Sequence, residues 1–87
     1  MSKNLDQQRK RLMFRAHRRG TKESDLVIGG FAEAYVGDMT ADQLDRFEAI
    51  LERNDPDVLG WVIGTKAPPE EFDNDVLLMI KNFKKTL

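Results

Sequence analysis

Apolar residues in this chain recur every three or four positions along most of its length, and no stretch alternates with the period of two that a half-buried strand requires. That property removes sheets from consideration and leaves helices whose apolar stripes must be buried against one another. Leu5, Leu12 and Ala16 fall on one side of a first helix, with Met13 beside them. Leu26, Val27, Gly30, Phe31, Ala34 and Tyr35 share a side of a second, and Leu44, Phe47, Ile50 and Leu51 share a side of a third. Val58, Leu59, Trp61, Val62 and Ile63 make a short segment apolar nearly all round, and Phe72, Val76, Met79, Ile80 and Phe83 line a last helix.

Glycines, prolines and capping residues set the boundaries. Gly20 suits the left-handed turn found just past helix ends. Thr21 then caps a second helix with Glu23 and Asp25 in its first turn. Within that helix Gly29-Gly30 should weaken it by about 1 kcal/mol per glycine relative to alanine, a cost offset by close approach of a neighbouring helix or a partner's backbone. Gly37-Asp38 closes it. Thr40-Ala41-Asp42-Gln43 has the form of a capping box, with Met39 and Leu44 placed as a hydrophobic staple. Asp55-Pro56 reads as a cap followed by proline at the first helical position, Gly64 stops that helix, and Thr65 to Pro69 reads as a linker. Lys81, Lys84 and Lys85 lie near the negative end of the final helix. The expectation is one all-α domain over residues 1–87, a compact five-helix bundle with helices near 4–18, 22–36, 41–53, 56–63 and 70–85.

Several chemistries are excluded by what the sequence lacks. It contains no cysteine, so disulfides, thiolate metal sites and cysteine nucleophiles are ruled out. The single histidine, His17, with scattered carboxylates leaves a zinc site short of ligands, so no metal is expected. There is no glycine-rich phosphate loop and no serine elbow. His17 sits among arginines and reads as a surface or packing residue, while Asp42, Asp45, Glu48 and Glu52 read as a solvated helix face. Catalysis is not expected. No apolar run approaches the roughly 20 residues that span a bilayer, and Met1-Ser2-Lys3-Asn4 leads straight into a charged helical pattern. The sequence predicts a cytoplasmic protein with neither signal peptide nor membrane insertion, monomeric when free.

A formal net charge of −1 conceals a strong polarity. Residues 1–22 carry Lys3, Arg9, Lys10, Arg11, Arg15, Arg18, Arg19 and Lys22 against Asp6 alone, a net +7. Residues 23–64 carry a net −8, and the remainder is neutral. Arg11, Arg15, Arg18 and Lys22 step by four, three and four, as a basic stripe would. Such a stripe has three readings. It can be a solvated face. It can be a nucleic-acid surface, against which stand the acidic body and the lack of interleaved aromatics beyond Phe14. Or it can be a surface for an acidic or cofactor-bearing protein, where guanidinium forks give oriented contacts. Where the stripe meets the second helix, Arg19-Gly20-Thr21-Lys22-Glu23 forms a corner in which Arg19 and Glu23 could simply pair on the surface.

In order and spacing, most of residues 9–64 resembles the succinate dehydrogenase assembly factor 2 family, the SdhE-type flavinylation factors. The matching elements are Arg9-Lys10-Arg11-Leu12, Phe14-Arg15, and Arg18-Arg19-Gly20-Thr21-Lys22-Glu23-Ser24-Asp25. After them come Phe31, Met39-Thr40, Gln43-Leu44, Phe47 and Asp55-Pro56-Asp57-Val58-Leu59-Gly60-Trp61-Val62-Ile63-Gly64. The family signature Arg-Gly-x-x-Glu falls on Arg19, Gly20 and Glu23. Val62 and Met39 stand where the family often has leucine, and Gly29-Gly30 is a less usual pair. The resemblance implies a five-helix fold. It also implies promotion of covalent FAD attachment to the flavoprotein subunit of succinate dehydrogenase, and of fumarate reductase where present, with no FAD held stably by the factor itself. In that setting Arg19, Gly20 and Glu23 would meet the client, with Arg9, Arg11, Arg15, Arg18 and Asp25 enlarging the docking face. Trp61 is either a direct contact or a core anchor. The family has a second implied role as the antitoxin half of a toxin–antitoxin pair, and nucleic-acid binding is a third choice.

Overall fold

A computed structural model describes residues 4–87, so Lys3 of the basic end lies outside the described residues. Helix α1 spans Leu5–Ala16 and starts where the Asn4 side chain accepts a hydrogen bond from the Gln7 N–H at 3.1 Å. It stops at His17, two residues short of the span expected. Helix α2 covers residues 22–35 in three stretches: α-helical Lys22–Ser24, a π-helical turn Asp25–Gly29, and α-helical Gly30–Tyr35. A 3₁₀ turn, Val36–Asp38, follows it. Helix α3 spans Ala41–Leu51 and carries the expected capping box, with Thr40 Oγ1 accepting from the Gln43 N–H and Gln43 Oε1 accepting from the Thr40 N–H. Helix α4 spans Asp55–Ile63, ended by Gly64 in the left-handed conformation, and α5 spans Asp75–Lys84. There is no strand among the described residues.

Two further boundaries and one helix face differ from expectation, each for a local reason. Asn54, not Asp55, caps α4: its side chain accepts from the Asp57 N–H at 3.0 Å, so Asp55 becomes the first helical residue and Pro56 follows it. Proline is still tolerated there, because first-turn N–H groups have no partner within the helix. The helix expected from residue 70 is split. Glu70–Phe72 is a single 3₁₀ turn, and Asn74 restarts the chain by accepting from both the Val76 and Leu77 N–H groups. Replacing Asn74 with alanine strips that acceptor and should lower stability by about 1 kcal/mol, a fall of roughly 4–8 °C in a thermal melt. Finally, Leu26 is 61% exposed rather than on the inner side of α2. Leu26 lies within the π turn, whose one extra residue takes it out of phase with Phe31 and Ala32, and Ala34 and Tyr35, expected on the same side, are exposed as well.

The core is a continuous cluster drawn from all five helices. Phe31 of α2 meets Phe47 of α3 edge-on at 5.4 Å and Phe83 of α5 at 6.2 Å. Leu12, Leu44, Ile50, Val58, Val76 and Ile80 close around them. Trp61 is 4% exposed and stacks on Phe72 with ring centres 5.2 Å apart, so the indole is a core anchor of α4. The glycine pair in α2 is explained by close approach, though of side chains rather than of a helix or partner backbone. A methyl group at Gly29 would stand 2.5 Å from His17 Nδ1, and one at Gly30 would stand 3.2 Å from the Phe83 ring. No helix among the described residues is long and apolar enough to cross a membrane.

Candidate functional site

The corner between α1 and α2 is held from beneath by Arg19. Its Nε donates to Asp55 Oδ1 at 3.1 Å, Nη1 to the Leu51 carbonyl at 2.6 Å, and Nη2 to the Arg53 carbonyl at 2.9 Å. Those carbonyls belong to the end of α3, where the last C=O groups lack helical partners and the dipole is negative. One guanidinium therefore satisfies the exit of α3 and the entrance of α4 together. The side chain is only 8% exposed. Asp55 is shared: the Ser24 hydroxyl donates to its Oδ2 at 2.6 Å and the Thr21 hydroxyl at 3.4 Å. The Arg19 N–H donates to Asp25 Oδ1 at 2.9 Å, which fixes the loop to the first turns of α2. The surface pair between Arg19 and Glu23 that the sequence allowed is not what forms, because the Arg19 guanidinium is engaged by Asp55 and the Leu51 and Arg53 carbonyls.

What remains outside is a short exposed tip. Gly20 has φ of +101°, a value L side chains rarely adopt, and open space where a side chain would project. Thr21 Oγ1 accepts from the Ser24 N–H, capping α2. Arg18, Lys22 and Glu23 are exposed around it. Of the three signature residues, Arg19 builds the corner, Gly20 turns it and Glu23 is displayed by it.

The expected basic stripe is not continuous. Arg11 Nη2 donates to both oxygens of Glu48 at 3.0 and 2.9 Å, and Arg15 Nη1 lies 3.8 Å from the same carboxylate. Gln8, buried on α1, donates to Glu48 Oε1 and Asp45 Oδ1, both at 3.0 Å. Arg9 donates to the Val36 and Met39 carbonyls, joining α1 to the turn after α2. Arg18 lies 4.0 Å above the Phe14 ring, and Lys22 already belongs to α2. Cations that share one face in the sequence are thus divided among two flanks and the tip. The expected solvated face of α3 is likewise engaged at Glu48.

Glu48 carries a pH dependence. Burial by itself raises its pKa, but hydrogen bonds from Arg11 and Gln8 and the charges of Arg11 and Arg15 outweigh that and hold the carboxyl below its ordinary value. A carboxylate depressed in the folded state contributes stability above its unfolded pKa of about 4.3 and loses it as pH falls through the lower, folded value. Urea midpoints should fall as pH drops below about 4.5, and Glu48→Gln should flatten that slope.

A second feature was not singled out from the sequence. On the flank of α1 away from Glu48, Lys10, Met13, Phe14, His17 and Arg18 face Val36 and Gly37 across an open groove of about 670 Å³. Phe14 is 58% exposed there. The signal was present, since positions 10, 13, 14 and 17 share one side of a helix, but Phe14 was read only as an exception among the arginines. His17 donates toward Glu33, with Nε2 3.1 Å from Oε1, and packs on Gly29. No group of three or more His, Cys, Asp or Glu suited to a metal occurs among the described residues.

A family model described as the flavinator of succinate dehydrogenase matches residues 10–84, which takes in the corner and all but the start of α1 and the final residues. The chain belongs to this flavinator family. Among its relatives, a protein of Acetobacter pasteurianus named FAD assembly factor SdhE is 50% identical over 68 residues, 78% of this chain and 62% of the relative. The mitochondrial succinate dehydrogenase assembly factor 2 of Dictyostelium discoideum is 32% identical, covering 93% of this chain and 57% of its own length. Assembly factor 2-B of Drosophila willistoni is 34% identical, with 93% and 53% covered. The chain spans between half and two thirds of the length of these relatives. Flavinator-family members are named as assembly factors, and neither the antitoxin nor the nucleic-acid reading finds support among these matches.

Proposed function

We propose that this chain is a non-catalytic assembly factor that binds the flavoprotein subunit of succinate dehydrogenase and promotes covalent attachment of FAD to it. The family match across residues 10–84 carries the reading. The corner supports it physically. It is a basic, glycine-turned projection whose underside is tied to α3 and α4, the form of a docking element rather than of a reactive centre. Arg18, Lys22 and Glu23 offer both signs of charge at its tip, with Arg15 on the adjoining flank. The flavoprotein and its FAD perform the bond-forming chemistry. The factor binds one conformation of the client better than others and raises that conformation's population by its differential affinity. FAD stays with the client and is not held stably here. A monomeric free state, a cytoplasmic site of action and service to fumarate reductase belong to the same proposal.

In-gel fluorescence of covalent flavin tests it. Purified or co-expressed flavoprotein should show several-fold more covalent flavin with the chain than without it, and equal signals would overturn the reading.

A further inference from the structure

We propose that the groove on the outer flank of α1 is a second docking point, separate from the Gly20 corner, and that it receives an acidic segment of the flavoprotein bearing a bulky apolar side chain. This rests on the flavoprotein reading and adds to it what the factor grips and where.

Helix α1 has two unlike apolar faces. Leu5, Leu12 and Ala16 turn inward, with Leu12 and Ala16 fully buried. Phe14 points away from that core, Met13 lies between the two faces, half-buried against the core, and Val36 and Gly37 form the facing wall. Phe14 is an anchor of the kind that dominates interface energetics, an exposed ring kept in place by Arg18 stacked at 4.0 Å. An exposed apolar floor edged by charge marks an interaction surface more often than a solvated one.

The charge around the floor selects the occupant. Lys10 and Arg18 edge the groove and make no ion pair among the described residues, while the third cation, Arg9, is turned to the Val36 and Met39 carbonyls. No carboxylate lines it. An acidic segment can therefore place an apolar side chain between Phe14 and the turn at Val36-Gly37 while its carboxylates meet Lys10 and Arg18. A nucleic-acid strand would find phosphate partners at the edge but, beyond Phe14 and His17, no ring on which successive bases could stack.

The groove is also continuous with the proposed docking corner. Phe14 and Arg18 are shared with a smaller basic pocket that includes Arg15, Arg19 and Leu51, so the stacked pair forms a ridge leading to Gly20. A client lying along the ridge would touch both points at once. Two linked contacts of this sort give much tighter binding than either alone.

The test compares Lys10→Glu and Phe14→Ala with the unaltered chain in binding to purified succinate dehydrogenase flavoprotein, with circular dichroism as a check on folding. Both residues are surface-exposed, so the fold should be unchanged. Each variant is expected to bind at least tenfold more weakly. Lys85→Glu, which makes the same change in net charge at the far end of α5, should change affinity less than twofold. A benzophenone side chain at position 14 should crosslink to an Asp/Glu-rich stretch of the flavoprotein. Affinities within twofold for Lys10→Glu and Phe14→Ala, or crosslinks only to a second copy of this chain, would overturn the groove proposal while leaving the corner in place. No binding by the unaltered chain would overturn both.

Discussion

Arg19→Ala should cost about 3 kcal/mol of folding stability, lowering the thermal midpoint by roughly 12–24 °C. The estimate follows from what the truncation leaves behind. The Asp55 carboxylate, 15% exposed, loses its ionic partner, and the Leu51 and Arg53 carbonyls at the exit of α3 lose their donors. For a chain of 87 residues, total stability is on the order of 4–13 kcal/mol, so the loss is roughly a quarter to three quarters of the whole. Arg19→Lys should recover less than half of the loss, because one ammonium on a flexible stem cannot serve three acceptors arranged for a planar fork. Combining Arg19→Ala with Asp55→Asn should cost less than the sum of the two alone, since both remove the same interaction. Urea titrations decide this. A loss below 1 kcal/mol would mean that the guanidinium is replaceable by water. For the same reason, loss of flavin loading in an Arg19 variant reports on folding first and docking second.

Gly20→Arg should behave in the opposite way, abolishing client flavinylation while leaving the helices intact. The left-handed backbone at Gly20 adds strain of about 1–2 kcal/mol for arginine, but the open space around it means that no packing is displaced. The new side chain instead projects from the tip where the client is proposed to dock. Covalent flavin in the flavoprotein should fall more than tenfold with the far-ultraviolet circular dichroism unchanged. Gly20→Asn separates the two causes: asparagine tolerates the left-handed region and is short, so it should lose markedly less loading than arginine. Wild-type loading by the arginine variant would move the docking surface away from this corner.

How much of this was legible beforehand depended on how local the cause was. The capping box at Thr40 was readable because both partners lie within four residues. So were the apolar stripe of α3 and the turn at Gly20, whereas half of the stripe assigned to α2, Leu26, Ala34 and Tyr35, is exposed. The choice between Asn54 and Asp55 as the cap of α4 was not, because Asp55 is committed to Arg19, 36 positions away. Leu26 was assigned inward because a constant helical period was assumed across a turn that does not keep it. Among the arginines, residue type carried no information about role. Arg19 lies inside, Arg9 binds carbonyls, Arg11 binds Glu48 and Arg18 covers an aromatic ring, distinctions that depend on neighbours brought in by α3 and α4. Phe14 stands among arginines in the sequence, and only the fold shows the groove it lines with Met13.

The fastening of the Gly20 loop by Asp25, Ser24 and Asp55 bears on how fast a complex forms. On the docking proposed for this corner, a loop held in one shape by these bonds loses little chain entropy on contact. The encounter rate is then governed by diffusion and by the attraction of the positive end for a negative surface. Added salt should slow capture far more than it hastens release.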